Sequence, residues 1–388
     1  MSDELRALLV VGVVGVVARL LLARRRRRLP AAADGVNVVG YLGAVSGLGE
    51  RARELVACLR AAGVEVSAWD LTEPRVGAPP IRRTTIAVVT AVQLASVRER
   101  CPAPFDGSER TIGYFFWELA EVPDEQRWGM DLVDEIWTPT RFVHDAYSAL
   151  SSRPVRLVPL PVAEPTVEPT VEPAPDHGEP FVFLTSFDHR SVMARKNPIG
   201  AIEAFRRAFP GGDEQVALVV KTINGAERPD ASARLEDAVR DDRRIVVRDE
   251  SLDEHEHLRL IASSDAFVSL HRSEGLGLHL AEAMWLGTPV VATRYSGNLD
   301  LMDDACAALV DHVLVPVSDG DGAYPGSAVW ADPDLDQAAA FMRRLVDEPE
   351  WRRSLVSAAR ARMEAQPSRA ETGRALVALL GPGSVTAV

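Results

Sequence analysis

Two glutamates with seven residues between them, Glu274 and Glu282, bracket the turn Gly275-Leu276-Gly277-Leu278. An apolar run precedes the turn over residues 266–270. A helix-forming run follows over 278–286, until Gly287 and Pro289 stop it. Residues 290–293 then read as a second buried strand. Strand, glycine turn, helix and strand make a βαβ unit, whose first turn lies at the carboxyl edge of a parallel sheet, where ligands bind. The helix start offers unpaired N–H groups and a partial positive charge to a phosphate, and Gly275 and Gly277 allow the backbone to come close. Glu274 sits before the helix, level with a phosphate or sugar. Glu282 sits more than one turn inside, and its side chain tilts back toward the helix start, within reach of a ribose. Alone, Glu274 reads equally well as a helix cap and Glu282 as a solvated helix face. Together in one apolar βαβ unit they favour a ligand site.

Other residues could join them. His271 precedes Glu274, and Ser296-Gly297-Asn298 form a turn after the second strand. Lys221 ends an expected strand at 216–221 and is a phosphate candidate. A basic loop with Arg190, Arg195 and Lys196 follows an expected strand at 181–187 and precedes Asn197-Pro198, a helix start. Near the beginning, Gly47-x-Gly49-x-x-Ala52 with Asp70 on the next strand imitates a dinucleotide-binding fingerprint, but the glycines begin five residues after the strand instead of directly. Trp117 and Glu118 follow an expected strand at 111–116. They read either as strand-end packing or as a platform and hydrogen-bonding group for a sugar.

The stretch EGLGLHLAEAMWLGTPVVAT resembles the donor-site motif of retaining glycosyltransferases of the GT-B fold, in particular glycosyltransferase family 4. The resemblance continues through SGNLDLM and residues 324–334, and covers nearly all the chain after the first 35 residues. It implies transfer of a sugar from a nucleotide-sugar with retention of anomeric configuration, without a bound metal or other cofactor. It implies that Glu274 positions the donor sugar, that Glu282 and the turn 275–278 hold the nucleotide, and that Lys196, with Arg195 and Arg190 near it, offsets the charge of the donor diphosphate. It further implies that Gly47 and Gly49 face the cleft between domains, with Trp117 and Glu118 on the acceptor side. Asp332-Pro-Asp334, although a carboxylate pair, reads as a helix cap.

The alternation of apolar strands and helices argues two doubly wound α/β domains. Residues 31–160 form the first. The Pro-rich run 161–180, with its repeated Glu-Pro-Thr-Val, is the linker. Residues 181–347 form the donor domain, and residues 348–388 supply helices that cross back. A net charge of −13 argues against nucleic acid. Cys58, Cys101 and Cys306 make neither a disulfide framework nor a metal spacing. Residues 7–23 form an apolar run broken by Arg19 and followed by Arg24 to Arg28. At ~1.5 Å per residue it reaches about 25 Å, slightly short of the ~30 Å bilayer core. Residues 1–30 are expected to anchor the chain to the cytoplasmic face of the cell membrane, beside a glycan or lipid-linked acceptor of a bacterial envelope; a helix lying in the interface and a plain soluble extension are the alternative readings. Competing readings are a nucleotide-sugar epimerase, a non-catalytic sugar-nucleotide-binding protein, and an NAD-dependent oxidoreductase built on Gly47, Gly49 and Asp70.

Overall fold

The computed structural model describes residues 32–72, 79–167, 180–318 and 324–381. The expected anchor at 1–30 lies outside these residues, as does the linker from 168 to 179. Among the described residues no helix is long and apolar enough to cross a membrane.

The first domain is a six-stranded parallel sheet. Its strands are β1 (Ala33–Gly40), β2 (Val66–Asp70), β3 (Arg82–Val89), β4 (Arg110–Phe115), β5 (Glu135–Thr138) and β6 (Val155–Leu157), in the order β2-β1-β3-β4-β5-β6. Helices lie between most of them, the first being Gly47–Ala61. Val36, Val38 and Val39 of β1 and Ile86 to Val89 of β3 are fully buried, as expected of central strands covered on both faces.

The second domain holds β7 (Phe181–Asp188), β8 (Val216–Ile223), β9 (Ile245–Asp249), β10 (Ala266–Ser269), β11 (Val290–Thr293) and β12 (Ala308–Val310). Their order is β12-β11-β10-β7-β8-β9, so β7 lies between its sequence neighbour β8 and the later strand β10. This is the doubly wound arrangement in which the chain reverses direction across the sheet, leaving a crevice at the carboxyl ends of the two central strands. Phe181, Phe183, Phe205 and Phe209 pack between β7 and the helix Pro198–Ala208, with ring centroids 4.9 to 6.0 Å apart. Each such ring contributes roughly 1.5–3 kcal/mol by leaving water. A hairpin of β13 (His312–Pro316) and β14 (Val329–Pro333) carries the buried Trp330. Asp334 caps the helix Leu335–Asp347, and Asp332 pairs with Arg272 at 3.0 Å.

The two late helices divide their work. Pro349–Glu364 packs on the donor-domain helix Leu278–Leu286, and only the last helix, Arg369–Leu380, lies on the first domain, against Gly47–Ala61. The crossing is therefore made at residues 365–368. There Val162 N, at the start of the linker, donates to Gln366 Oε1 at 3.1 Å, so both interdomain crossings run side by side. Arg369 grips the buried Glu54 through two hydrogen bonds of 2.8 and 2.7 Å. A Cβ on Gly373 would lie 2.1 Å from Cys58 O, so the last helix sits against bare backbone. Gly373→Ala should then cost about 1–3 kcal/mol through forced repacking. Gly47→Ala, whose Cβ would meet nothing within 4 Å, should stay within about 0.5 kcal/mol. Urea unfolding of the two variants checks the contrast.

Candidate active site

The site is built where β7 and β10 end. The chain leaves β7 through a short turn, Met193–Lys196, and closes it with Asn197 in the left-handed conformation (φ 53°). Asn197 does two jobs. Its Oδ1 accepts from Gly200 N at 3.1 Å, capping the next helix, and its Nδ2 donates to Leu270 O at 2.8 Å, tying the turn to the end of β10. Lys196 is thereby aimed at the residues after β10, and its Nζ hydrogen-bonds directly to Glu274 Oε1. Arg195 Nη1 lies 3.4 Å from the same oxygen and donates to Ser273 O at 2.8 Å. The side chains of Arg195, Glu274 and Lys196 are 4%, 12% and 21% exposed, so this is a desolvated cluster of two cations and one anion.

Burial pushes the Glu274 carboxyl upward, but Lys196 and Arg195 beside it outweigh that and hold it at about 2. Burial lowers Lys196, against the pull of Glu274. Arg195 also meets the Tyr324 hydroxyl, a partner that sequence reasoning did not assign to the site.

Around the cluster, the turns act mainly as scaffolding. Ser296 (φ 81°) accepts from Glu274 N at 2.7 Å, and Gly297 N donates to Glu274 O at 2.9 Å. A Cβ on Gly297 would stand 2.1 Å from Gly275 O. Asn298 is buried; its Nδ2 donates to Thr293 O at 3.0 Å and its Oδ1 pairs with His271 Nε2 at 3.2 Å. His271 is itself fully buried, with Nδ1 3.1 Å from Ser269 Oγ, so it braces the end of β10. Gly277 (φ 84°) starts the helix Leu278–Leu286 with no side-chain cap; Leu280 N already donates to Gly277 O at 3.1 Å, so the helix start offers a ligand the N–H groups of Leu278 and His279. Leu276 and Leu278 flank it.

Gly275 has a second reason to be glycine. A Cβ there would lie 2.8 Å from Trp117 O, in the other domain. Thr140 Oγ1 donates to Gly275 O at 2.8 Å, Arg141 N donates to Asp300 Oδ2 at 2.7 Å, and Ser273 Oγ donates to Glu118 O. The first domain is therefore closed down over Glu274. The carboxylate of Glu118 also acts electrostatically on Arg195 and Lys196. Trp117 is buried: its Nε1 donates to Glu121 O at 2.8 Å and its ring meets Tyr324 edge-on at 5.6 Å.

Glu282 is buried one turn along the helix, with Oε2 lacking a hydrogen-bond partner. Burial, then the charge of Glu50 from the first domain, raises its carboxyl well above the usual range. His257 and His279 stand beside it. Burial lowers both imidazoles, His257 to about 4. Lys221 does not end its strand as expected: β8 runs on to Ile223, and Lys221 is buried within it near Glu250, where burial lowers it. Arg190 turns away to the surface, where it forms an ion pair with Glu227 at 2.6 Å. Gly47 is exposed at the start of its helix, capped by Ser46, while Gly49 packs so closely on Tyr41 O and Ala44 O that a Cβ would stand 2.6 and 2.5 Å from them.

Two doubly wound domains closed over basic groups and an uncapped helix start define the chain as a GT-B glycosyltransferase in class. A family model described as family 4 glycosyltransferase in conflict systems matches residues 140–376, and the chain belongs to that family. Solved structures give the same fold. Sucrose-phosphate synthase from Thermosynechococcus elongatus aligns with TM-score 0.63 at 17% identity, over 89% of this chain and 98% of its own. HepE from Anabaena, solved with UDP and glucose, aligns with TM-score 0.62 at 13% identity, over 89% and 99%. TarM from S. aureus, solved with UDP and α-GlcNAc-glycerol, aligns with TM-score 0.53 at 13% identity over 76% of this chain, which spans about half of TarM (55%). No curated protein matches the sequence.

The depressed Glu274 carboxyl has a consequence for stability. Its value in the folded chain lies below the ordinary 4.5, so it stabilises the fold fully above about pH 4.5, and that stabilisation drains away as pH falls toward about 2. The contribution is on the order of 3 kcal/mol. Glu274→Gln should be less stable than the parent at pH 7, and the gap should narrow progressively below pH 4.5. Urea titrations at pH 7 and at about pH 3.5 check the sign.

Proposed function

We propose that the chain transfers a sugar from a nucleoside-diphosphate sugar to an acceptor hydroxyl with retention of anomeric configuration. The observation that carries the reading is the convergence of Lys196, Arg195 and Glu274 beside the uncapped start of the helix Leu278–Leu286. In this reading the donor diphosphate lies over that helix start, and Lys196 and Arg195 offset its charge. Glu274 accepts hydrogen bonds from hydroxyls of the donor sugar and holds Lys196 in place. Glu282, with its unpaired Oε2, binds the ribose.

The reaction breaks the bond between the anomeric carbon and the diphosphate oxygen and forms one to the acceptor oxygen on the same face. The acceptor proton passes to the departing phosphate. Negative charge grows on the diphosphate as the bond breaks, so cations already desolvated beside it act most strongly in the transition state. The acceptor approaches from the first domain, past Glu118. Membrane contact on the cytoplasmic face is supported by the apolar and arginine-rich run 7–28, and a lipid-linked or glycan acceptor of the cell envelope by that run together with the resemblance to family 4 glycosyltransferases.

A thermal-shift panel of UDP, GDP, ADP, dTDP and NAD tests the donor site. One nucleoside diphosphate should raise the melting temperature, by an amount equivalent to about 2.7 kcal/mol at a hundred times its dissociation constant. Lys196→Ala should lose that shift. A shift with NAD alone would move the ligand to the Gly47 loop and overturn the reading. For turnover, Glu274→Ala should lower kcat by about 10²-fold or more while nucleotide binding changes far less. A fully active variant would remove Glu274 from the mechanism.

A further inference from the structure

The helices Glu254–Ala262 and Leu278–Leu286 pack against each other and bring together three groups that suit a transition metal. His279 and Glu282 are three residues apart, on one face of their helix. His257 reaches across from the neighbouring helix, its ring centroid 4.5 Å from that of His279. One ligand atom from each of the three lies within 4.8 Å of the others, and His257 Nε2 is 3.8 Å from Glu282 Oε2. A tetrahedral Zn²⁺ with bonds of about 2.0–2.1 Å holds its ligand atoms about 3.3 Å apart. Small side-chain rotations therefore close the set.

Two features mark this as more than crowding. His257 Nε2 and Glu282 Oε2 are both buried and both lack a hydrogen-bond partner, and Glu282 is only 8% exposed. Buried polar atoms are rarely left unpaired, and those that are call for a missing partner. The charges of Glu50 and Glu254 bear on Glu282, opposed by Arg51, so the local field favours a cation beside the carboxylate.

We propose that His257, His279 and Glu282 form a binding site for a first-row transition-metal dication of the Zn²⁺ type. Two imidazoles and one carboxylate are a common zinc set, whereas Mg²⁺ prefers oxygen ligands and retains its waters. Because Glu282 is also the residue assigned to the ribose, bound metal and bound nucleotide exclude each other. The exclusion rests on the donor-site reading; the metal site itself does not.

The test is isothermal titration of the full chain with ZnCl2 after chelation, with no nucleotide present, so that its failure is separate from failure of the donor site. One Zn²⁺ should bind per chain. His257→Ala and His279→Ala should each weaken it at least ~10-fold, by loss of a ligand from the set. Both variants should fold as the parent does by circular dichroism. Substituted Co²⁺ should show visible d–d bands without thiolate charge transfer, which separates this site from Cys58, Cys101 and Cys306. The nucleoside diphosphate selected by the thermal panel should weaken Zn²⁺ binding. No Zn²⁺ binding, or binding unchanged in both histidine variants, overturns the site.

Discussion

The arrangement depends on a buried ion cluster. Lys196, Arg195 and Glu274 are desolvated together at the meeting point of β7 and β10. None of the three could be left there alone, since an uncompensated buried charge costs several kcal/mol. This constraint links distant parts of the chain. The turn Met193–Lys196 must be pinned by Asn197, the end of β10 must be braced by His271 and Asn298, and the Ser296-Gly297 turn must hold the Glu274 backbone. The net charge of the cluster is positive, which is the charge a departing diphosphate needs.

The same contacts make the cleft a closed one. Thr140, Glu118 and Trp117 of the first domain rest on the Ser273–Gly275 turn, while the two crossings near Val162 and Gln366 lie side by side. Ala328 and Trp330 of the β13–β14 hairpin belong to the same buried cluster as Phe115 and Trp117 of the first domain, so opening the cleft about the adjacent crossings would also part an apolar contact. Closure brings Glu50 toward Glu282 and Glu118 toward Lys196, so the electrostatics of the site depend on the position of the first domain.

Much of this was legible in the sequence. The βαβ unit around Glu274 is written in local signals: an apolar strand, a glycine start, a Gly-Pro stop. The basic turn was visible as a loop between strand and helix start. What could not be read was long-range. Gly275 looked like a concession to phosphate, and its space is taken up by Trp117 O. Trp117 could be read as strand-end packing or as a sugar platform, and only the distant Tyr324, against which its ring packs, shows what it rests on. Arg190 looked like part of the phosphate clamp and is bound to Glu227 at the surface. His279 was not singled out, although it stands three residues before Glu282 on one helix face, and His257 could not be, because nothing local ties it to that face. In each case the deciding partner lies tens to hundreds of residues away, beyond the reach of periodicity or capping signals.

The central claim is that the nucleotide binds at the crevice between β7 and β10, over the Lys196–Glu274 cluster. Hydrogen–deuterium exchange with and without the preferred nucleoside diphosphate tests it most directly. The account predicts new protection of the backbone at residues 275–281 and 193–198, with little change at 43–52. Protection confined to 43–52, with the other two segments unaltered, would contradict it.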